Sequence, residues 1–463
     1  MKKKLISPGQ INKSLLYIFL IGISSVLNRF IYGYNYIGCF FPMNIYRSLY
    51  EGIIGKDENK DFSNHRVFDP FFSYIGVIFI SLIFLKEKNI SDKNEIEKNI
   101  EEKKTLEDLE SNKENNNGNF LNLKYDGTKE YLKSTKGFLF YILILFLWIA
   151  EENLLLIYVD IFQDLDFWFF ELIFVSIIYS RLFSSKILSH QKLGMAINII
   201  VGSLLKIYSI IVTFNSKDDM FYKKHPWLIF FVIFYFLLII LRSYVNTQIK
   251  IFFDLKYISQ RVLLTSYGIV GFIILGLTGI FTSNVPCSGD LINNVCKFNE
   301  TNSYTINNIT YSDNITYYDN FSIYYESAAN MGIRLIVIIL GLITFFFEKY
   351  YATLTIKLYS PIHVIFSFPI QYFFGKLFLL IFTAIFQIKY LFKVGEKMRK
   401  FIADESGDIF SIIGFLIYLE ILELHFCKLD YDLSDNITNR ANKEIKELIS
   451  FIDKDEELES DTN

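Results

Sequence analysis

The segment GFLFYILILFLWIAEENLLLIYV, residues 137–159, determines the class of fold. Its only charged side chains are the adjacent Glu151 and Glu152, and every residue before them in the segment is uncharged. A helix needs about 20 predominantly apolar residues to cross a bilayer, which is longer than the core helix of an ordinary soluble domain. The segment therefore predicts a transmembrane helix that carries two acidic residues past its middle.

The composition of the whole chain agrees with this prediction. Of its 463 residues, 52% are hydrophobic and 21% are charged, and the mean hydropathy is +0.31. The charged residues are gathered into a few segments that separate long apolar tracts. Such a chain predicts a polytopic protein surrounded by membrane lipids, and it excludes a soluble enzyme, a nucleic-acid-binding protein and a secreted scaffold held by disulfides.

Ten apolar segments of similar length each predict a transmembrane helix. Lys2, Lys3 and Lys4 precede the first, so the N-terminus is expected in the cytosol and the first segment is expected to be a retained signal anchor. An even number of spans returns the C-terminus to the cytosol. The predicted spans are 14–33, 68–85, 137–159, 162–183, 190–213, 226–248, 258–283, 329–348, 361–389 and 408–427.

The chain divides into two halves of five predicted spans each. The first half contains a charged, Asn-rich segment at 86–136 with too little apolar surface to fold, so a disordered cytosolic loop is predicted there. The predicted organisation is a cytosolic N-terminus at 1–13, a first half at 14–213, a second half at 214–427 and an acidic cytosolic tail at 428–463.

The segment 284–327, between the seventh and eighth spans, is predicted to lie in the lumen. It contains Cys287 and Cys296, which we expect to form a disulfide, with two free thiols as the alternative. Four N-x-S/T sequons in the same segment predict N-glycosylation on the lumenal side. Their asparagines are Asn299, Asn308, Asn314 and Asn320.

Each half ends in a span that contains glycine. In the fifth span, HQKLGMAINIIVGSLLKIYSI, Gly194, Asn198 and Gly202 are four residues apart and share one helical stripe. The tenth span carries Gly414. Small residues on a stripe let two helices approach closely in lipid, so a packing seam is predicted. Glycine-bearing faces also leave open a homodimer.

A basic turn, followed by a helix that opens with QKLG and has a second glycine eight residues later, resembles the drug/metabolite transporter superfamily. The wider layout is most similar to its chloroquine-resistance-transporter-like and nucleotide-sugar-transporter-like branch. This resemblance implies an all-α polytopic membrane fold of ten transmembrane helices in a 5+5 inverted repeat. It also implies alternating-access export or exchange of a small organic solute. The long loop at 86–136 departs from the family pattern, as does the presence of only two cysteines in the segment 284–327.

Several polar side chains fall on the lumenal half of the predicted spans. A charge inside a span costs roughly 2.5–3.5 kcal/mol, so it needs a partner or an aqueous cavity. We predict that these side chains line one solute cavity, where Glu151 or Glu152 exchanges protons or pairs with a cationic solute. Because adjacent helical residues point about 100° apart, only one of these two is expected to face the solute. The candidate substrate-binding residues are Glu151, Glu152, Glu171, Asn28, Arg29 and Arg334.

A second polar set is predicted nearer the cytosol. Arg242, paired with Glu420 or Glu423, would form a cytosolic gate that breaks when the carrier opens inward. In the lumenal set, Arg29 or Arg334 would act as the counter-ion or as an anion clamp. For both sets the alternative is structural: ion pairs that only stabilise the fold, helix-end capping, or arginines that extend to the lipid headgroups. The candidate gate residues are Arg242, Asn246, Glu420 and Glu423.

The sequence does not indicate an enzyme. The five histidines are scattered without a pair at metal-ligand spacing and no phosphate-binding loop is present, so no metal, cofactor or direct use of ATP is predicted. The leading hypothesis is a secondary-active transporter of a small organic solute, proton-coupled or an exchanger, in an endomembrane of Golgi, vacuolar or lysosome-like type. The alternative is a polytopic scaffold without transport activity, whose loop at 86–136 and acidic tail recruit partners.

Overall fold

A computed structural model describes most of the predicted helical regions of the chain. Within the described residues the chain is almost wholly helical, with one two-stranded hairpin. The described residues are 8–32, 67–84, 127–161, 170–205, 207–208, 229–285, 298–306, 309–317, 321–322, 332–371, 373–374, 396–424, 433, 436 and 440.

The helices follow the apolar segments of the sequence. In chain order they are α1 (Pro8–Tyr32), α2 (Phe68–Phe84), α3 (Thr128–Lys133), α4 (Thr135–Ile161), α5 (Glu171–Leu182), α6 (Ser189–Ile197, continued as a π-helix over Asn198–Ser203), α7 (Ile229–Asp254), α8 (Gln260–Asn284), α9 (Gly332–Leu358), α10 (Pro361–Ile365) and α11 (Glu396–Tyr418).

Four helices of the described chain are long and apolar enough to cross a membrane, which fits an integral multi-pass membrane protein. They are Thr135–Leu155, Ile233–Asp254, Gln260–Asn284 and Ile338–Leu358. Three shorter apolar helices are Lys13–Leu27, Pro70–Ile83 and Ser406–Tyr418. The ten-span count stays a prediction, because four of the ten predicted spans correspond to helices of this length within the described residues; they are 137–159, 226–248, 258–283 and 329–348.

Helix α9 extends past the end predicted for it at residue 348 and reaches Leu358. The adjacent charges Glu348 and Lys349 therefore lie inside the helix. Lys349 Nζ is 2.7 Å from Glu152 Oε1 and 3.5 Å from Glu348 Oε1. The ion pairs offset the cost of placing these two charges inside an apolar helix, so the helix can continue past them.

Helix α11 ends at Tyr418, before the end predicted for it at residue 427. Glu420 has a positive φ of 59°, the N–H of Ile421 bonds to the carbonyl of Leu416, and the N–H of Glu420 bonds to the carbonyl of Ile417. These two bonds around a left-handed residue form a Schellman motif, which terminates helices. Glu420 and Glu423 therefore follow the helix, and the prediction that the tenth span continues as a helix through both of them to residue 427 is wrong.

The central helices are held by close aromatic contacts. Tyr74 of α2 lies against Gly271 of α8, where a Cβ atom would overlap the tyrosine ring. The rings of Tyr74 and Tyr267 are 5.1 Å apart between centroids. Helix α1 packs on α9, α2 packs on α8 and α9, and α4 packs on α7 and α8. These helices surround a central space that is lined by side chains from several of them.

The predicted seam of small residues is confirmed at the contact of α6 with α11. A Cβ atom on Gly194 would lie 2.5 Å from the carbonyl oxygen of Gly414, and a Cβ on Gly414 would lie 2.7 Å from that of Gly194. Asn198, on the same stripe, is fully buried. Only glycine at these two positions lets the backbones approach so closely.

The hairpin falls in the segment that is predicted to be lumenal, and the all-α prediction missed it. Strand β1 (Phe298–Ile306) pairs antiparallel with β2 (Ile309–Tyr317), so that Asn299 faces Thr316 and Asn314 faces Thr301 in the register. Two predicted glycosylation sequons are thus opposite each other in one hairpin. The other predicted residues of this segment lie outside the described residues; they are Cys287, Cys296, Asn308 and Asn320.

Candidate functional site

A cavity lies between helices α1, α2, α4, α7, α9 and α10. Residues that follow α10 in the chain, up to Gln371, also line it. Its volume is about 130 Å³, roughly ten times what a single water molecule needs. Aromatic rings of Tyr74, Trp148, Phe345 and Phe368 form much of its wall. The cavity therefore combines apolar surface with the charged side chains of Glu151, Glu152, Arg242 and Lys349.

The first charged group joins α4 to α7. Arg242 Nε lies 2.6 Å from Glu151 Oε1, and its Nη1 lies 3.5 Å from Oε2 of Glu171, the first residue of α5. The guanidinium also lies 5.0 Å from the centroid of the Phe368 ring. Both carboxylates are almost completely buried, with 1% and 0% of their side chains exposed. One arginine thus lies close to two buried carboxylates, which together carry one negative charge more than the arginine balances. A proton bound to one of the carboxylates can neutralise this excess.

The second charged group joins α4 to α9. Lys349 Nζ lies 2.7 Å from Glu152 Oε1, and it is also 5.0 Å from the centroid of the Phe345 ring. The indole Nε1 of Trp148 donates a hydrogen bond of 2.6 Å to the same carboxylate oxygen of Glu152. The hydroxyl of Tyr267 donates to the other oxygen. Glu152 therefore accepts two hydrogen bonds that do not depend on Lys349.

Helical spacing places these supporting groups. Trp148 and Glu152 are four residues apart on α4, and Phe345 and Lys349 are four residues apart on α9, so each aromatic ring lies one turn before its charged neighbour. A neutral polar contact completes this part of the wall: Gln371 Nε2 donates to Ser25 Oγ of α1 at 2.7 Å. The cavity is thus lined by side chains from both halves of the sequence.

The structure brings together most of the described candidates from the two predicted sets. Glu151 and Glu152 line the cavity, Glu171 contacts it through Arg242, and Arg242 and Asn246 line it as well. Glu151 is almost completely buried although both glutamates line the cavity, so the expectation that only one of them faces the solute stays a prediction. The two predicted sets therefore meet in one site.

The predicted gate pairs are different from the observed ones. The structure places Arg242 against Glu151 and Glu171, and it places Glu420 against His190, with 3.0 Å between Glu420 Oε1 and His190 Nε2. Glu423 is exposed. Three further candidates lie on described helices but outside the described side chains; they are Asn28, Arg29 and Arg334.

Sequence reasoning missed Lys349, Trp148 and Tyr267. Lys349 lies one residue beyond the end predicted for the eighth span at residue 348. The spacing of Trp148 and Glu152 on one helix was available in the sequence and could have indicated their hydrogen bond. The contact of Tyr267 with Glu152 joins residues that are far apart in the chain, so no local sequence pattern predicts it.

The described residues contain no group of three or more His, Cys, Asp or Glu side chains placed to hold a metal ion. In comparisons with known proteins, no protein-family model matches the sequence and no curated protein matches it. The resemblance to the drug/metabolite transporter superfamily therefore stays a prediction.

Proposed function

We propose that this protein is a secondary-active transporter that moves a small organic solute across an endomembrane by alternating access, by proton coupling or by exchange. The observation that carries the proposal is the cavity, in which two ion pairs join helices of both halves of the chain. Ionisable groups inside membrane-spanning helices are costly and usually mark a substrate or ion path.

The positions of the cavity residues support an inverted repeat. Helices α4 and α9 each have 27 residues. The fourteenth, seventeenth and eighteenth residues of both helices line the cavity. In α4 these are Trp148, Glu151 and Glu152, and in α9 they are Phe345, Glu348 and Lys349.

Helices α1 and α7 correspond in the same way. Their fourteenth and eighteenth residues line the cavity, and these are Ile21 and Ser25 in α1, and Arg242 and Asn246 in α7. The two halves thus supply matched positions with different chemistry, since Ile21 corresponds to Arg242 and Glu152 corresponds to Lys349. Inverted repeats with a solute site at their interface are typical of secondary transporters.

Helix packing also supports this correspondence. Helix α1 packs on α9 as α7 packs on α4, and α2 packs on α9 as α8 packs on α4. The pairs α2–α8 and α6–α11 are formed by helices that would be equivalent to each other. In the second of these pairs, Gly194 and Gly414 approach each other's carbonyl oxygens reciprocally. A scaffold without transport activity has no need of this arrangement.

The proposal is tested by reconstituting the full chain into liposomes that are loaded with a metabolite extract. Mass spectrometry of the external medium should identify one or a few solutes that leave only when the protein is present. The double variant Glu152→Gln/Lys349→Gln should lose this efflux. Lys136→Gln, an exposed change on the same helix α4, should keep it and is the matched control.

Two outcomes would contradict the proposal. The first, which would reject transport, is the absence of protein-dependent efflux with either an inward or an outward proton gradient. The second, which would reject the Glu152–Lys349 pair as part of the solute site, is an efflux that the Glu152→Gln/Lys349→Gln variant leaves unchanged while it remains folded. The first outcome would favour the scaffold, which requires partners of the segment 86–136 or of the tail rather than a solute.

A further inference from the structure

We propose that the transported solute is a zwitterion, with one cationic and one anionic group, and that it binds by replacing the ion pair of Glu152 with Lys349. This inference rests on the proposed transport function and adds the charge type of the solute. It is carried by the difference between the two ion pairs of the cavity.

The pair of Glu151 with Arg242 is built into the wall. The Glu151 side chain is 1% exposed, and Arg242 also contacts Glu171 and the ring of Phe368. A solute cannot reach the Glu151 carboxylate without displacing these contacts. This pair therefore fits a structural or proton-holding role better than direct contact with a solute.

The Glu152 carboxylate is more accessible than that of Glu151. The side chains of Glu152 and Lys349 are 17% and 10% exposed, and both line the cavity. Their 2.7 Å contact joins α4 to α9 through the tips of long side chains. Rotamer changes alone can separate them without movement of either helix backbone.

The balance of charges at this pair then indicates which charge type of solute can bind. A singly charged solute that enters between Glu152 and Lys349 pairs with one of them and separates the other from its 2.7 Å partner, and Lys349 then keeps only the longer 3.5 Å contact with Glu348. A neutral solute that separates them gives neither side chain a new ionic partner. A zwitterion gives Glu152 a cation and Lys349 an anion, so two ion pairs with the solute replace the 2.7 Å pair.

The surroundings of the pair suit this exchange. Trp148 and Tyr267 donate hydrogen bonds to Glu152, so the carboxylate keeps its position when Lys349 moves away. The rings of Trp148 and Phe345, at equivalent positions of α4 and α9, offer apolar faces to an organic cation and to an aliphatic side group. A zwitterion with a short apolar chain therefore matches both the charges and the walls.

The test uses three compounds with closely similar carbon chains and the purified full-length protein in detergent. Norleucine is the zwitterion, pentylamine lacks the carboxylate, and hexanoate lacks the ammonium group. At ten times its Kd, norleucine should raise the Tm of the wild-type protein by roughly 2 °C. Pentylamine and hexanoate at the same concentration should leave the Tm unchanged.

Variants show whether the effect comes from the proposed pair. Glu152→Gln/Lys349→Gln should lose the norleucine shift, and Lys136→Gln should keep it. The comparison of the three compounds uses the wild-type protein, so it decides the question even if the double variant does not fold.

A Tm shift from pentylamine or hexanoate as large as that from norleucine would overturn the inference. No shift from norleucine at millimolar concentrations would overturn it too. The proposed function fails in a different way: norleucine could stabilise the protein while liposomes show no solute flux, in which case the site binds a zwitterion but the protein is not a carrier. Flux of singly charged solutes without binding of norleucine would support the carrier and reject the zwitterion.

Discussion

The cavity and the seam between α6 and α11 both bury polar groups inside an apolar helical protein, but they do so in opposite ways. In the cavity, long charged side chains meet at their tips, as in the 2.7 Å contact of Lys349 with Glu152. In the seam, Gly194 and Gly414 bring two backbones into direct contact. The cavity can change its pairings by rotation of side chains, whereas the seam has no side chains to rearrange. The comparison indicates an adjustable centre next to a fixed contact.

The largest effect is expected from Arg242→Met in the cavity. The change leaves the buried carboxylates of Glu151 and Glu171 without this cation, and removing one partner of a buried ion pair costs about 3–5 kcal/mol. The free energy of unfolding, measured by denaturation in detergent, should fall by this amount. The double variant Arg242→Met/Glu151→Gln should recover part of the loss. Stability equal to that of the wild type would contradict a buried pair at this position.

The next effect tests the seam through Gly414→Ala. The new methyl group would lie 2.7 Å from the Gly194 carbonyl oxygen and 3.1 Å from the Asn198 backbone nitrogen, so the two helices must move apart. We expect a loss of about 3 kcal/mol, measured in the same way. Gly276→Ala is the matched control, because its methyl group would meet only Phe71 at an ordinary distance of 3.4 Å. Equal stabilities of the two variants would show that the seam is not tightly packed.

Local patterns predicted the long helices and the acidic pair, because both are expressed in consecutive residues. The apolar segment 137–159 corresponds to α4, and Glu151 and Glu152 lie past its middle as expected. The ends of helices were harder to predict. The positive φ of Glu420 ends α11 without a glycine to signal it, and Lys349 lies inside α9 because its partner comes from another helix.

Pairing between distant helices could not be predicted from the sequence. Arg242 was expected to pair with Glu420 or Glu423, and it contacts Glu151 and Glu171. Several acids lie at similar depth in the predicted spans, and hydropathy does not say which helices are neighbours. The hairpin was missed for another reason: its strands, FNETNSYTI and ITYSDNITY, are polar and Asn-rich, so they resemble loop sequence despite their Thr, Tyr and Ile residues.

A smaller effect is expected from Trp148→Phe, which tests how the Glu152 carboxylate is held in place. The change keeps an aromatic ring in the wall and removes the 2.6 Å hydrogen bond to Glu152. A hydrogen bond to a charged group contributes about 2 kcal/mol, so the free energy of unfolding should fall by that amount. Phe138→Leu, at an exposed position of the same helix, serves as the control and should have little effect. An unchanged stability in Trp148→Phe would mean that Lys349 and Tyr267 hold the carboxylate without the indole hydrogen bond.

The smallest effect is expected from Ser25→Ala, at the neutral part of the cavity wall. The variant loses the 2.7 Å hydrogen bond from Gln371, and such bonds between membrane helices contribute about 1 kcal/mol. Thermal unfolding of Ser25→Ala and of Gln371→Leu should show similar losses, and the double variant should be little worse than either single variant. Additive losses would show that the two side chains act independently.

Alternating access is tested most directly by the reactivity of one cavity position from the two sides of the membrane. Ser25→Cys places a thiol in the wall with little change of size, and its labelling by a membrane-impermeant thiol reagent can be located by mass spectrometry in sealed vesicles of either orientation. We expect residue 25 to be labelled from both sides, and more slowly when a transported solute is present. Labelling from one side only, or from neither, would contradict a cavity that opens alternately to the two compartments.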